Sequence, residues 1–95
     1  MININDIKRV YLIGIGGIGM SGLARYFNQR GCLVYGFDKT VTPLTKELVN
    51  EGIGISYVDD SDLIPISFQN NDSETLTVYT PAIPKDSNIL NFFKK

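Results

Sequence analysis

The sequence contains no histidine, and Cys32 is its only cysteine. No imidazole can therefore act within these 95 residues as a general base or metal ligand, and one thiol makes neither an intrachain disulfide nor a Cys/His zinc cluster. A surplus of positive charge is also missing. Nine Lys and Arg stand against ten Asp and Glu, a formal charge of -1, which removes the sequence-independent phosphate attraction on which nucleic-acid binders rely. Long hydrophobic runs are absent too. The most apolar stretch, Val10 to Met20, is 11 residues interrupted by four glycines, too short to span a bilayer, and Asp6 stands where a signal peptide would be basic. The expected location is cytoplasmic. What remains is an ordinary globular composition, 43% apolar and 20% charged, with room for one core. The chain reads as one domain or a piece of a longer protein.

Arg9 to Ile15 is nearly continuous in apolar residues, as a strand buried on both faces requires. Met20, Leu23, Ala24 and Phe27 then recur at helical spacing from Ile18, and Gly31 suits a left-handed terminator. Leu33 to Phe37 reads as a second strand ending in Asp38 and Lys39. Thr42 and Pro43 open a second helix that turns Leu44, Leu48 and Val49 inward and stops at Gly52. Ile53 to Val58 is a third strand. The polar stretch 59–74 holds at most a helical turn around Leu63 and Ile64, and Leu76 to Thr80 is a fourth strand, halted by Pro81 and Pro84. Asp86 or Ser87 caps a last helix carrying Ile89, Leu90, Phe92 and Phe93. This order predicts an α/β fold, a Rossmann-like open parallel sheet of order 3-2-1-4 with helices on both faces. A complete nucleotide domain of this kind has more strands. The sheet is therefore expected to be truncated before a further strand, leaving the last helix an uncovered apolar face that favours self-association.

Gly14-Ile15-Gly16-Gly17-Ile18-Gly19 satisfies G-x-G-x-x-G at the turn from the first strand into the first helix, the context in which the pattern carries meaning. Gly14 is read as allowing the tight turn, Gly16 as letting a ligand approach the main chain, and Gly19 as letting helix and strand pack closely. The amides of Gly17, Ile18 and Gly19, with the positive end of the helix dipole behind them, then form a cradle for a diphosphate. Asp38 lies 19 residues after Gly19 at the end of the second strand, where a carboxylate meets ribose hydroxyls or serves as a turn residue. Ser21 offers its hydroxyl to a phosphate oxygen or to a backbone carbonyl, and both readings stay open. The hydroxyls of Thr42 and Thr45 flank the second helix beside Asp38, within reach of a nucleoside, although Thr42 also suits a plain N-cap. Thr80 to Ile83 borders the crevice where open α/β sheets take their ligands. Arg25 reads as a solvated face residue, and Cys32 as a small core hydrophobe.

Read as G-I-G-G-I-G-M-S-G, residues Gly14 to Gly22 resemble the amino-terminal signature of the Mur ligases. Gly36-Phe37-Asp38, Thr42-Pro43-Leu44-Thr45 with Leu48, and Thr80-Pro81-Ala82-Ile83 resemble further motifs of that family in the same order, so the likeness runs from Val10 to Pro84. Agreement is greatest with the members that join L-alanine to UDP-N-acetylmuramic acid in peptidoglycan precursor synthesis. The resemblance implies that residues 1–95 are the amino-terminal UDP-sugar-binding domain of an ATP-dependent ligase. In that family ATP phosphorylates the lactyl carboxylate and the amine of L-alanine attacks the acyl phosphate. ATP and Mg2+ are expected in a central ATPase domain, followed by a carboxy-terminal domain, and neither cofactor in this chain, which has no G-x-x-x-x-G-K-[ST] loop and is expected to bind without catalysing. The implied UDP-N-acetylmuramic acid contacts are Gly16, Gly17, Ile18, Gly19, Met20, Ser21, Asp38, Lys39, Thr42, Thr45, Thr80, Pro81 and Ala82, with no metal ligand and no catalytic residue. Many members have Gly-His after the third strand, where this chain has Tyr57-Val58-Asp59-Asp60. Two other readings use the same glycines: an NAD-binding module of a dehydrogenase or regulatory domain, and the related ligase that recycles an intact peptide onto UDP-muramate.

Overall fold

The computed structural model describes residues 4–70 and 73–94. Its centre is β1 (Arg9–Ile13), whose Val10, Tyr11, Leu12 and Ile13 are wholly buried. Parallel partners lie on each side: β2 (Leu33–Phe37) pairs Val10 with Val34 and Leu12 with Gly36, while β4 (Thr75–Tyr79) pairs Val10 with Leu76. The short β3 (Gly54–Ser56) lies outside β2, giving the order β3-β2-β1-β4 anticipated from the sequence.

Alternation along β1 sends its side chains into two separate cores. Val10 and Leu12 pack with Met20, Ala24 and Phe27 of α1 (Ile18–Gln29) and Leu48 of α2 (Pro43–Asn50). Tyr11 and Ile13 pack on the other face with Ile64, Phe68 and the Ile89 and Leu90 of α3 (Asn88–Phe93). The chain winds outward from β1 through α1, β2 and α2 to β3, then crosses the second face to reach β4. That reversal makes the boundary between β1 and β4 the switch point of the sheet, the place where such folds open a ligand crevice beyond their strand ends.

Several expectations shift. The first strand stops at Ile13 because Gly14 takes φ +90°, and the amides of Gly14 and Ile15 both donate to the Phe37 carbonyl, at 2.7 and 3.0 Å. Stretch 59–74, of which 71 and 72 lie outside the described residues, contains two 3-10 turns, Ser61–Leu63 and Ile66–Phe68, and these deliver Ile64 and Phe68 to the second core. In α2 the expected inward Val49 is 47% exposed, and Thr45, wholly buried, shares the inner face with Leu48. The last helix is not bare. Ile89 and Leu90 are buried, and the Phe93 ring lies 4.8 Å from that of Tyr11, because the second face of β1 needed a cover that only α3 and the preceding turns supply. Of the four apolar residues expected on an uncovered face, Ile89 and Leu90 are thus covered, and Phe92 and Phe93 are partly buried.

Candidate functional site

A cleft of about 350 Å3 opens at the carboxyl ends of the strands, lined by Gly14, Phe37, Asp38, Lys39, Asp59, Ala82, Ile83, Pro84 and Ser87. The glycine loop forms one border. Gly17 is the N-cap of α1, its carbonyl accepting from the Ser21 amide at 2.8 Å, while its own amide donates back to the Gly14 carbonyl at 3.1 Å. The free row is therefore displaced by one residue from the expected set. Among the described residues no acceptor meets the amides of Ile18, Gly19 and Met20, the first three of the helix, and no acidic side chain stands in that turn. Three aligned donors at the positive end of a helix favour a phosphate or diphosphate, each bond to a charged acceptor contributing about 1.5–3 kcal/mol.

The glycines divide by what surrounds them. A Cβ on Gly16 would lie 2.7 Å from Asp38 Oδ2 and 2.9 Å from Thr45 Cγ2, so these neighbours by themselves require a glycine here. At Gly19 nothing lies within 4 Å of that position, so it packs against no strand and faces open space beside the free amides. Met20 contributes its backbone to the donor row, but its side chain is buried in the first core. Ser21 is buried, and its hydroxyl donates to the Ile18 carbonyl at 2.9 Å, the backbone partner of the two that the sequence offered.

Both oxygens of Asp38 take part in shaping the loop. Its Oδ2 accepts from the Gly16 amide at 2.8 Å and its Oδ1 from the Thr40 amide at 3.0 Å, tying the glycine turn to the end of β2. It nevertheless lines the cleft, as does the exposed Lys39. Thr42 and Thr45 form a reciprocal capping box: Thr42 Oγ1 accepts from the Thr45 amide at 3.1 Å, and Thr45 Oγ1 accepts from the Thr42 amide at 2.9 Å. Thr45 has no exposed surface, so its hydroxyl is withdrawn from any ligand in this arrangement. Opposite the glycine loop, Thr80 Oγ1 accepts from the Ala82 amide at 3.3 Å and the Thr80 carbonyl from the Ile83 amide at 3.1 Å, a turn that leaves Pro81 and Ala82 exposed. Ile83 Cδ1 lies 3.1 Å from where a Gly14 Cβ would be, so the two loops meet at the floor.

Two cleft residues that the sequence named only as a helix cap and as part of a departure from the family pattern are joined in the fold. Asp59 Oδ1 accepts from Ser87 Oγ at 3.1 Å and from the Ile89 amide at 2.9 Å, which fastens the start of α3 to the chain leaving β3. The available signals were weak: a serine at a helix start, and an acid where relatives often place histidine. Their partnership spans 28 residues and exists only in the fold. Beyond the cleft, Arg25, expected as a solvated residue, is ion-paired with Glu51 at 2.8 Å on the surface, and Cys32 packs beside the first core as expected, its thiol donating to the Ile7 carbonyl at 3.4 Å. The buried Tyr11 hydroxyl has no partner among the described residues, and burial, with Tyr35 and Asp59 nearby, holds its pKa well above the ordinary tyrosine value.

The profile of the Mur ligase family, catalytic domain, matches residues 9–93. The chain is 52% identical over its whole length to the UDP-N-acetylmuramate–L-alanine ligase of Christiangramia forsetii, covering 21% of that protein. It is 50% identical over 88 residues to the enzyme of the same name from Porphyromonas gingivalis, covering 93% of this chain and 19% of that one. Among solved structures, the UDP-N-acetylmuramate–alanine ligase of Thermotoga maritima superposes with a TM-score of 0.72 at 31% identity, over 87% of this chain and 18% of its own. The chain thus spans about a fifth of the length of the curated relatives it matches.

Proposed function

Because the chain belongs to the Mur ligase family, we propose that it is the amino-terminal substrate-binding domain of a UDP-N-acetylmuramate–L-alanine ligase, a cytoplasmic enzyme of peptidoglycan precursor synthesis. Its task is to hold the UDP portion of UDP-N-acetylmuramic acid. The observation that carries this reading is the row of free amides at Ile18, Gly19 and Met20, opening beside a cleft that offers Asp38, Asp59 and Lys39. The amides suit the diphosphate, and the carboxylates suit the hydroxyl and N–H donors of a nucleoside or sugar.

ATP and Mg2+ belong, on this reading, to the four fifths of the longer relatives that these residues do not cover. The residues present do not fit them: the sequence has no lysine-bearing phosphate loop, and among the described residues no three His, Cys, Asp or Glu side chains gather as metal ligands. No described helix is long and apolar enough to cross a membrane. Calorimetric titration with UDP-N-acetylmuramic acid tests the assignment through Gly19→Val, whose Cβ enters open space beside the amide row. Saturable binding by the wild-type chain, weakened about tenfold or more in the folded variant, is expected. Equal affinity in the two chains would contradict the placement of the diphosphate.

A further inference from the structure

The two carboxylates of the cleft are not equivalent. Each oxygen of Asp38 already holds a backbone amide, from Gly16 and from Thr40. Asp59 takes both of its intramolecular donors, Ser87 Oγ and the Ile89 amide, on Oδ1 alone. No donor meets Asp59 Oδ2 among the described residues, and the side chain lines the same cleft as Asp38 and Lys39. Two hydrogen bonds on one oxygen fix the carboxylate plane, and Ser87, itself buried, cannot swing away because its Oγ also accepts from the Leu90 amide at 3.2 Å. The second oxygen is thus an acceptor already held in place, which a ligand can use with little further ordering.

We propose that Asp59 Oδ2 is the cleft's acceptor for a neutral O–H or N–H donor of the bound nucleotide sugar, with Ser87 and the start of α3 as the residues that position it. This rests on the UDP-sugar reading of the cleft and assigns a contact that none of the sequence motifs contains. A phosphate does not suit this position, since Asp38 and Asp59 both line it and a free carboxylate oxygen repels an anion. The ligand is thereby given a direction: its diphosphate on the amide row at α1, and its uncharged, donor-bearing part toward Asp59. Asp38 becomes chiefly the residue that shapes the glycine loop.

Asp59→Asn separates this role from a merely structural one. An asparagine retains one carbonyl oxygen for Ser87 and the Ile89 amide and puts an N–H donor in place of Oδ2, so the α3 clamp survives while the ligand's donor meets another donor. The variant should melt within about 3 °C of wild type. It should bind UDP or UDP-N-acetylmuramic acid about 10- to 100-fold more weakly. A loss seen already with UDP places the donor on the nucleoside, and a loss confined to UDP-N-acetylmuramic acid places it on the amino sugar. Wild-type binding with an unaltered Asp59→Asn constant for both ligands overturns this assignment alone. Failure of the wild-type chain to bind either ligand overturns it together with the UDP-sugar reading. Should the variant not fold, the wild-type Ile89 amide, bonded to the same carboxylate, reports instead: its NMR resonance should shift on saturation with UDP-N-acetylmuramic acid, and an unmoved resonance overturns the assignment.

Discussion

A valine at Gly19 extends into open space, whereas one at Gly16 collides with Asp38 Oδ2 and Thr45 Cγ2. Gly16→Val should therefore lower stability by about 1–3 kcal/mol, visible in thermal melting before any ligand is added, while Gly19→Val should melt at or above wild type. The G-x-G-x-x-G spacing located this loop correctly, but spacing alone does not distinguish a glycine that yields to a ligand from one that yields to the protein. Residue by residue, the same limit applied to Ser21 and Thr45, whose hydroxyls are consumed by Ile18 and Thr42 within the fold. Tyr11 supplies a second test at this scale. Its buried, unpartnered hydroxyl makes Tyr11→Phe a stabilising change of about 1 kcal/mol at neutral pH. Because burial holds the folded pKa above the unfolded value near 10, the protonated tyrosine leaves stability independent of pH below about 10, and stability falls as pH rises from there through the folded value. Alkaline unfolding followed at several pH values should show the advantage of the phenylalanine variant growing above pH 10; a constant difference would mean that Tyr11 does not titrate as its burial requires.

The central elements were the most legible. β2 spans Leu33–Phe37 as its apolar run predicts, and the helix boundaries at Gly17, Gly31 and Thr42 follow from glycine and capping chemistry that acts within a few residues. Where structure depends on distant partners the sequence was less informative. The turns at Ser61–Leu63 and Ile66–Phe68 exist to place Ile64 and Phe68 beneath β1, and α3 is anchored by Asp59 from across the cleft. For α2, Thr45 took the inward position that hydropathy assigned to Val49, because its hydroxyl satisfies two backbone groups at Thr42 as it enters the core. Thr45→Val keeps the volume and removes that hydroxyl. It should cost about 1 kcal/mol in chemical denaturation and leave UDP-N-acetylmuramic acid affinity, corrected for folding, unchanged. A selective loss of affinity would return Thr45 to the ligand-contact set.

At the scale of the molecule, one reversal of winding direction brings the glycine loop, the Thr80–Ile83 turn and the start of α3 around one cleft. Strand order and the loop that borders the cleft were readable from the β-α-β pattern, and the glycines with Asp38 fitted the reading of an NAD site as well as that of a UDP-sugar site. The proposed division of labour, with binding here and catalysis elsewhere, predicts no phosphate release from ATP when the chain is supplied with UDP-N-acetylmuramic acid, L-alanine and Mg2+, in an assay that detects about one turnover per hour. The most direct measurement of the central claim is a pair of calorimetric titrations of the wild-type chain, one with UDP-N-acetylmuramic acid and one with NAD. The account predicts a saturable one-to-one isotherm for the UDP-sugar and at least about tenfold weaker binding of NAD; NAD binding as tightly as the UDP-sugar, or the UDP-sugar not binding, would contradict it.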